Sequence, residues 1–234
     1  MAEHAKNPFF PDNVQFWYET KRAFGASSYG ASEFGEVMAT ANRITSGDND
    51  SWYNEWNATA ERVFGEAEAQ LAAGHCISAR DSYLRATTYF RASEFFLHTN
   101  PEDSRIYSAY KKSIQSYKSC CALYDPPIVS VEIPYVNTTL PGYFHRVDES
   151  DTKRPLFVMH SGSTAPLKNC MAKAHALVSS AAITSLPSMA LASMVPSIVS
   201  GYPSGPIGRK LLLQSLISRS SLLASILTRS HSWA

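Results

Sequence analysis

The sequence holds no carboxylate beyond Asp151. All 20 Asp and Glu residues of the 234-residue chain stand at or before that position. Residues 1–162 carry 15 Lys and Arg against 20 acids, a balance of −5. Residues 163–234 carry 6 Lys and Arg against none, a balance of +6, and the two balances make up the formal +1 of the chain. Folded domains mix both signs at about a quarter of their residues. The tail, rich in Ser, Leu, Ala and Pro, is therefore unlike half of an enzyme. It also cannot supply the acid of a Ser–acid–His order.

Other scarcities exclude further classes. Cys76, Cys120, Cys121 and Cys170 form no C-x-x-C pair and are too few for a disulfide framework. The adjacent Cys120-Cys121 reads as small apolar residues on a helix. The charged start, Met1-Ala2-Glu3-His4-Ala5-Lys6, is followed by no apolar run of signal-peptide length. Secretion is therefore not expected, the cytosol is the expected compartment, and the sequons at Asn57 and Asn137 are expected to stay unmodified. The near-neutral total gives no argument for a nucleic-acid partner. No spacing of His, Cys or acids suggests a metal, and no fingerprint suggests a cofactor, so neither is expected. The 44% hydrophobic and 18% charged composition still fits a folded chain, as one large domain or two small ones.

The residues present organise into helices and then strands. Residues 14–24, with Phe16, Trp17 and Phe24, fit a short helix before a loop at Gly25 and Gly30. From Ser51, the apolar positions Trp52, Trp56, Val63, Ala67 and Leu71 recur at helical spacings, and Gly74 is suited to end that helix in a left-handed conformation. A second helix is expected from about Ile77 to His98, with Tyr83, Tyr89, Phe90, Phe96 and Leu97 on its apolar side. A third is expected to start at Asn100-Pro101, with Asn100 as cap, to carry Ile106, Tyr110, Ile114 and Tyr117, and to stop before Asp125-Pro126-Pro127. After Pro127 the period changes to that of strands. Residues 128–133 and 140–146 read as a hairpin turning at Asn137-Thr138-Thr139. Leu156-Phe157-Val158-Met159 reads as a buried strand that exits at His160-Ser161-Gly162. A sheet ending after these three strands would leave residues 156–159 as an unpaired parallel edge.

Two non-enzymatic readings stand beside this. The helix–Gly–helix run from Trp52 to Leu123 resembles a tetratricopeptide hairpin, although no second copy follows at the required period; it would make the chain a non-catalytic helical interaction module. Residues 174–208 are uncharged and long enough to cross a bilayer, but Pro187, Pro196, Pro203 and many serines dilute them.

Several motifs in one order carry a more specific resemblance. They are Trp52…Trp56, then Leu84-Arg85-Ala86…Tyr89-Phe90-Arg91-Ala92-Ser93…Phe96-Leu97-His98…Asn100-Pro101. Ile133-Pro134-Tyr135…Leu140-Pro141-Gly142-Tyr143 and Arg154-Pro155-Leu156…His160-Ser161-Gly162 follow. Over about residues 7–162 the chain resembles fungal secondary-metabolite hydrolases of the α/β-hydrolase superfamily, including enzymes of fusarin-, cytochalasin- and pseurotin-type pathways. A polyketide-shortening hydrolase of melanin synthesis and a bacterial C–C hydrolase of nicotine breakdown are more distant relatives. The resemblance implies an α/β fold with a helical N-terminal cap over residues 1–125, the first strands of the hydrolase domain over 126–162, and an aberrant tail over 163–234, expected to be poorly ordered. It further implies a serine-type hydrolase of polyketide or polyketide–nonribosomal-peptide intermediates, a small-molecule partner, and a homodimer for intact members. Such enzymes use a Ser on a sharp strand–helix turn, an Asp and a His, with backbone N–H groups as oxyanion donors. Ser161 and Gly162 stand where that oxyanion loop should begin. Gly162 could equally serve only to turn the chain.

The pattern then fails. No G-x-S-x-G follows; Ser204 lacks the leading glycine, and His175 and His231 have no acid to orient them. Read from one base earlier, ordinary codons for residues 163–173 give Phe, Asp, Gly, Thr, Val, Glu, Glu, Leu, Tyr, Gly, Lys. Residues 188–192 give Phe, Asp, Gly, Pro, Gly. Both strings look like the family, and both restore the missing acids. The tail is accordingly read as frame-shifted and the chain as catalytically inactive.

Overall fold

A computed structural model describes residues 7–135, 138–146, 148–150, 156–160 and 190–194. Its first part is a block of five helices: α1 (Val14–Gly25), α2 (Phe34–Arg43), α3 (Asn49–Ala72), α4 (Cys76–Ser93) and α5 (Ser104–Ala122). Side-chain caps set most of the starts. Asn13 accepts the Phe16 N–H at 3.0 Å, Glu33 the Glu36 N–H at 2.7 Å, and Asp48 the N–H groups of Asp50 and Ser51. Gly74, at φ 81°, ends α3, and His75 donates back to the Gln70 carbonyl at 2.9 Å.

The expected α3 face is present. Trp52, Trp56, Val63 and Ala67 are fully buried, whereas Leu71, in the last turn, is 38% exposed. Helix α4 lies between α3 and α5, so it is buried on several sides, and Tyr83, Tyr89, Phe90 and Leu97 are inside as expected.

Four expectations need correction. The loop after Gly30 gives way to a full helix, α2, whose buried Val37, Thr40 and Ala41 lie on one face. Helix α4 stops at Ser93, and Phe95–Thr99 form a separate 3-10 turn. Side chains take carbonyls that a longer helix would need: Ser93 Oγ donates to Phe90 O at 2.8 Å and Trp52 Nε1 to Ala92 O at 2.8 Å. Helix α5 is capped by Asp103, not Asn100, because the Asp103 carboxylate accepts the Arg105 N–H at 2.9 Å and grips its guanidinium. Its buried stripe runs through Ala109, Ser113, Ser116, Tyr117, Cys120 and Cys121, leaving Tyr110 at the surface.

The strands are β1 (Val129–Tyr135), β2 (Thr138–His145), β3 (Leu156–His160) and β4 (Ala190–Met194), in sheet order β1-β2-β4-β3. Tyr135 pairs with Thr138 and Pro134 with Thr139, so Thr138 and Thr139 belong to β2 rather than to the expected Asn137-Thr138-Thr139 turn. β2 pairs antiparallel with β4, and β4 parallel with β3. The sheet therefore has four described strands, not three, and the fourth comes from the tail. β3 pairs with β4 on one side and is an edge strand among the described ones.

Two cores stabilise the helical block. One gathers Phe10, Phe16, Val37, Trp52, Trp56 and Phe90. The other joins Tyr83, Leu84, Tyr117 and Cys120 of the helices to Ile128 and Tyr143 at the sheet. The helices and sheet thus share a core, which does not favour an isolated helical module.

Candidate active site at the carboxyl ends of the parallel strands

Parallel strands of α/β sheets carry ligands beyond their carboxyl ends. Here those ends are His160 of β3 and Met194 of β4, which are paired, with Gly142 of β2 opposite Met194. Ser161 and Gly162 follow β3 directly in the chain. They lie outside the described residues, as do Ser204, His175 and His231.

What is described on the helical side is the support of this edge. Tyr143 of β2 is one residue from Gly142 and is met edge-on by Tyr117 of α5, with ring centroids 4.7 Å apart. Burial pushes the phenols of both Tyr117 and Tyr143 well above their ordinary range, so both stay protonated at neutral pH.

Two polar clusters in the helical block were not found by the sequence reading. Tyr89, fully buried, donates its hydroxyl to Glu36 at 2.6 Å and accepts the Glu33 N–H at 2.8 Å. Arg85 holds the same carboxylate at 3.1 Å, and Arg62 approaches it at 3.5 Å. Burial and the Glu36 carboxylate push the Tyr89 phenol up strongly. The cluster depends on α2, and a reading that lacks α2 cannot assemble it. The spacing Arg85…Tyr89, four residues apart on one helical face, was the available hint. In the second cluster the buried Glu94 takes Arg91 at 3.0 Å and also pairs with His98. The first cluster ties α4 to α2 and α3, the second joins α4 to the 3-10 turn after it, and neither presents a nucleophile.

Cys120 and Cys121 are buried and Cys76 is exposed. Burial raises the Cys120 thiol to about 12 and pushes Cys121 up as well, so both behave as the small apolar residues expected from their position on α5. Among the described residues no group of three or more His, Cys, Asp or Glu is arranged to hold a metal ion. No described helix is long and apolar enough to cross a membrane. Within the uncharged 174–208 stretch, Ala190–Met194 form a strand paired on both sides, which does not favour a spanning helix there.

Comparison with known proteins accounts for this arrangement. No family model matches the chain. It is 36% identical to hydrolase acrC of Aspergillus aculeatus over 66% of this chain and 39% of that protein. It is 42% identical to hydrolase LUC6 of a Fusarium species, over 57% of this chain and 32% of the relative. It is 41% identical to the 20-hydroxy-prefusarin hydrolase FUS2 of Gibberella moniliformis, over 54% of this chain and 30% of the relative. The chain thus spans well under half the length of the curated relatives it matches. Among solved structures, 2,6-dihydroxy-pseudo-oxynicotine hydrolase superposes with a TM-score of 0.58 at 21% identity, covering 73% of this chain and 44% of that one. That likeness shows the fold.

Proposed function

We propose that this chain, a relative of the fungal secondary-metabolite α/β hydrolases, comprises the helical cap and opening strands of a serine-type hydrolase. The substrates would be polyketide or polyketide–nonribosomal-peptide intermediates, cleaved at an acyl, ester, amide or C–C bond. The parts would be the cap at 1–125, the first strands at 126–162 and an aberrant tail at 163–234. Ser161 and Gly162 would begin the oxyanion loop. The 234 residues by themselves would not hydrolyse substrate, because no Ser–acid–His order can be built after β3. A cytoplasmic location and, for intact members, a homodimer go with this reading.

The observation that carries it is the sequence likeness to several hydrolases. It is supported by an antiparallel hairpin feeding a parallel pair beneath a helical block. A fluorophosphonate probe tests it. A full-length relative should be labelled stoichiometrically at one serine, and this chain should not be labelled. Failure of the relative to label would remove the serine-hydrolase reading, and stoichiometric labelling of this chain would remove the inactivity.

A further inference from the structure

Helix α2 is attached differently from α3 and α4. It stands between two glycines in the left-handed region, Gly30 at φ 75° and Gly47 at φ 83°. A Cβ added at Gly30 would meet nothing within 4 Å, and one at Gly47 would reach only Asn13 Nδ2 at 4.0 Å. Backbone conformation, not close packing, therefore accounts for both glycines. Between them α2 buries only small side chains, Val37, Thr40 and Ala41, and leaves Phe34 58% and Met38 40% exposed. Helix α3, by contrast, buries Trp52, Trp56 and Val63. Polar contacts supply much of the hold on α2. Glu36 accepts from the Tyr89 hydroxyl and pairs with Arg85 and Arg62. Thr40 and Thr59 share a hydrogen bond at 2.7 Å, and Arg43 donates to Glu55 at 2.6 Å and to Thr59 at 3.2 Å. Water can replace each of these partners, and the arginines at 62 and 43 are half-exposed, so salt reaches their pairs. The closed arrangement also carries an unmet donor. Trp56 packs on Tyr89 in the core shared with Val37 and Ala41, and its buried Nε1 has no hydrogen-bond partner among the described residues. An unmet donor lowers the cost of an opening that admits water to it.

We propose that α2 is a strap that opens as one unit about Gly30 and Gly47, with Glu36 as its latch, while α3 and α4 stay packed. Left-handed glycines in the flanking turns absorb the change in backbone direction. Release of Glu36 frees the Tyr89 hydroxyl and both arginines together, because all three meet on one carboxylate. Opening exposes the Tyr89 phenol and the ring of Trp56 beside it, and closing covers them again. Ionic strength sets the balance, since charged pairs hold the strap and salt screens them.

Amide exchange of the full 234-residue chain across low urea concentrations tests this. Residues 37–43 should exchange as one group, at least about tenfold faster than the centres of α3 and α4 and with a weaker urea dependence. Glu36→Gln, or added salt, should quicken that group at least about threefold and leave α3 and α4 within about twofold. A second variant keeps every charge. Thr40→Cys together with Thr59→Cys puts two thiols where the hydroxyls lie 2.7 Å apart, close enough for a disulfide. The oxidised pair should slow α2 to the rate of α3, and reduction should restore the faster exchange. The proposal is overturned if α2 matches α3 and α4 in rate and urea dependence, or if its amides open one by one from the ends. It is equally overturned if Glu36→Gln quickens all helices alike, or if the formed disulfide leaves α2 exchange unchanged.

Discussion

Tyr89 shows what a single residue does in this fold. Its ring packs on Trp56 with centroids 5.6 Å apart, and its hydroxyl serves α2 twice, through the Glu36 carboxylate and the Glu33 N–H. Tyr89→Phe keeps the ring and removes the phenol's bonds to two partners, the part-buried Glu36 carboxylate and the Glu33 N–H. It should destabilise the chain by about 1–3 kcal/mol, measured as a lower urea midpoint at unchanged m-value. An unchanged midpoint would mean that water or Arg85 replaces the phenol without loss. Cys120 gives a second test. Its thiol is pushed from an ordinary value near 9 to about 12. The folded chain therefore holds a proton that the unfolded chain releases first. This stability is fully present below pH 9 and is lost as pH rises from 9 toward 12. The urea midpoint should fall over that window, and less steeply in Cys120→Ala. At pH 8, iodoacetamide should modify Cys76 well before Cys120 or Cys121. Equal rates at the three sites would contradict their burial.

At the scale of elements, the caps discriminate most sharply. Asn100-Pro101 has the composition of a helix start, but the capping contact belongs to Asp103 three residues later. Asp103→Ala should lower the melting temperature more than Asn100→Ala does, read from thermal melts of the two variants. The reverse order would restore the earlier start. This comparison also shows what a sequence can reveal. Periodicity located α3 and most of α4, because Trp52, Trp56, Tyr89 and Phe90 are large and regularly spaced. It did not find α2, whose buried face is built from Val37, Thr40 and Ala41, too small and polar to stand out. Nor could it find the end of α4, which depends on the indole of Trp52, forty residues away, taking the Ala92 carbonyl. The sequence reading puts the proposed site where the chain leaves β3 at His160, and the residues it names there, Ser161 and Gly162, lie outside the described ones. Its acid, base and nucleophile were illegible because the residues after 162 do not contain them in a usable order.

At the scale of the molecule, the helical block has a core of its own, and among the described residues the tail gives the sheet β4. Amide exchange should therefore show strong protection in α3 and α4 both in the full chain and in a chain cut after residue 150. Protection in β2 should be lower in the cut chain, which lacks β4. Loss of α3 and α4 protection on cutting would mean that the block depends on the tail. The charge split is read at this scale as well. The −5 of residues 1–162 belongs to the part that resembles the hydrolases, and the +6 belongs to the tail without acids. We propose a shifted reading frame as the origin of that tail, and the nucleotide sequence of gene and transcript across codon 163 tests this most directly. The account predicts a one-base difference near that codon whose correction restores acidic residues and a downstream Ser–Asp–His order. An uninterrupted frame there, shared by the genes of intact relatives, would contradict it.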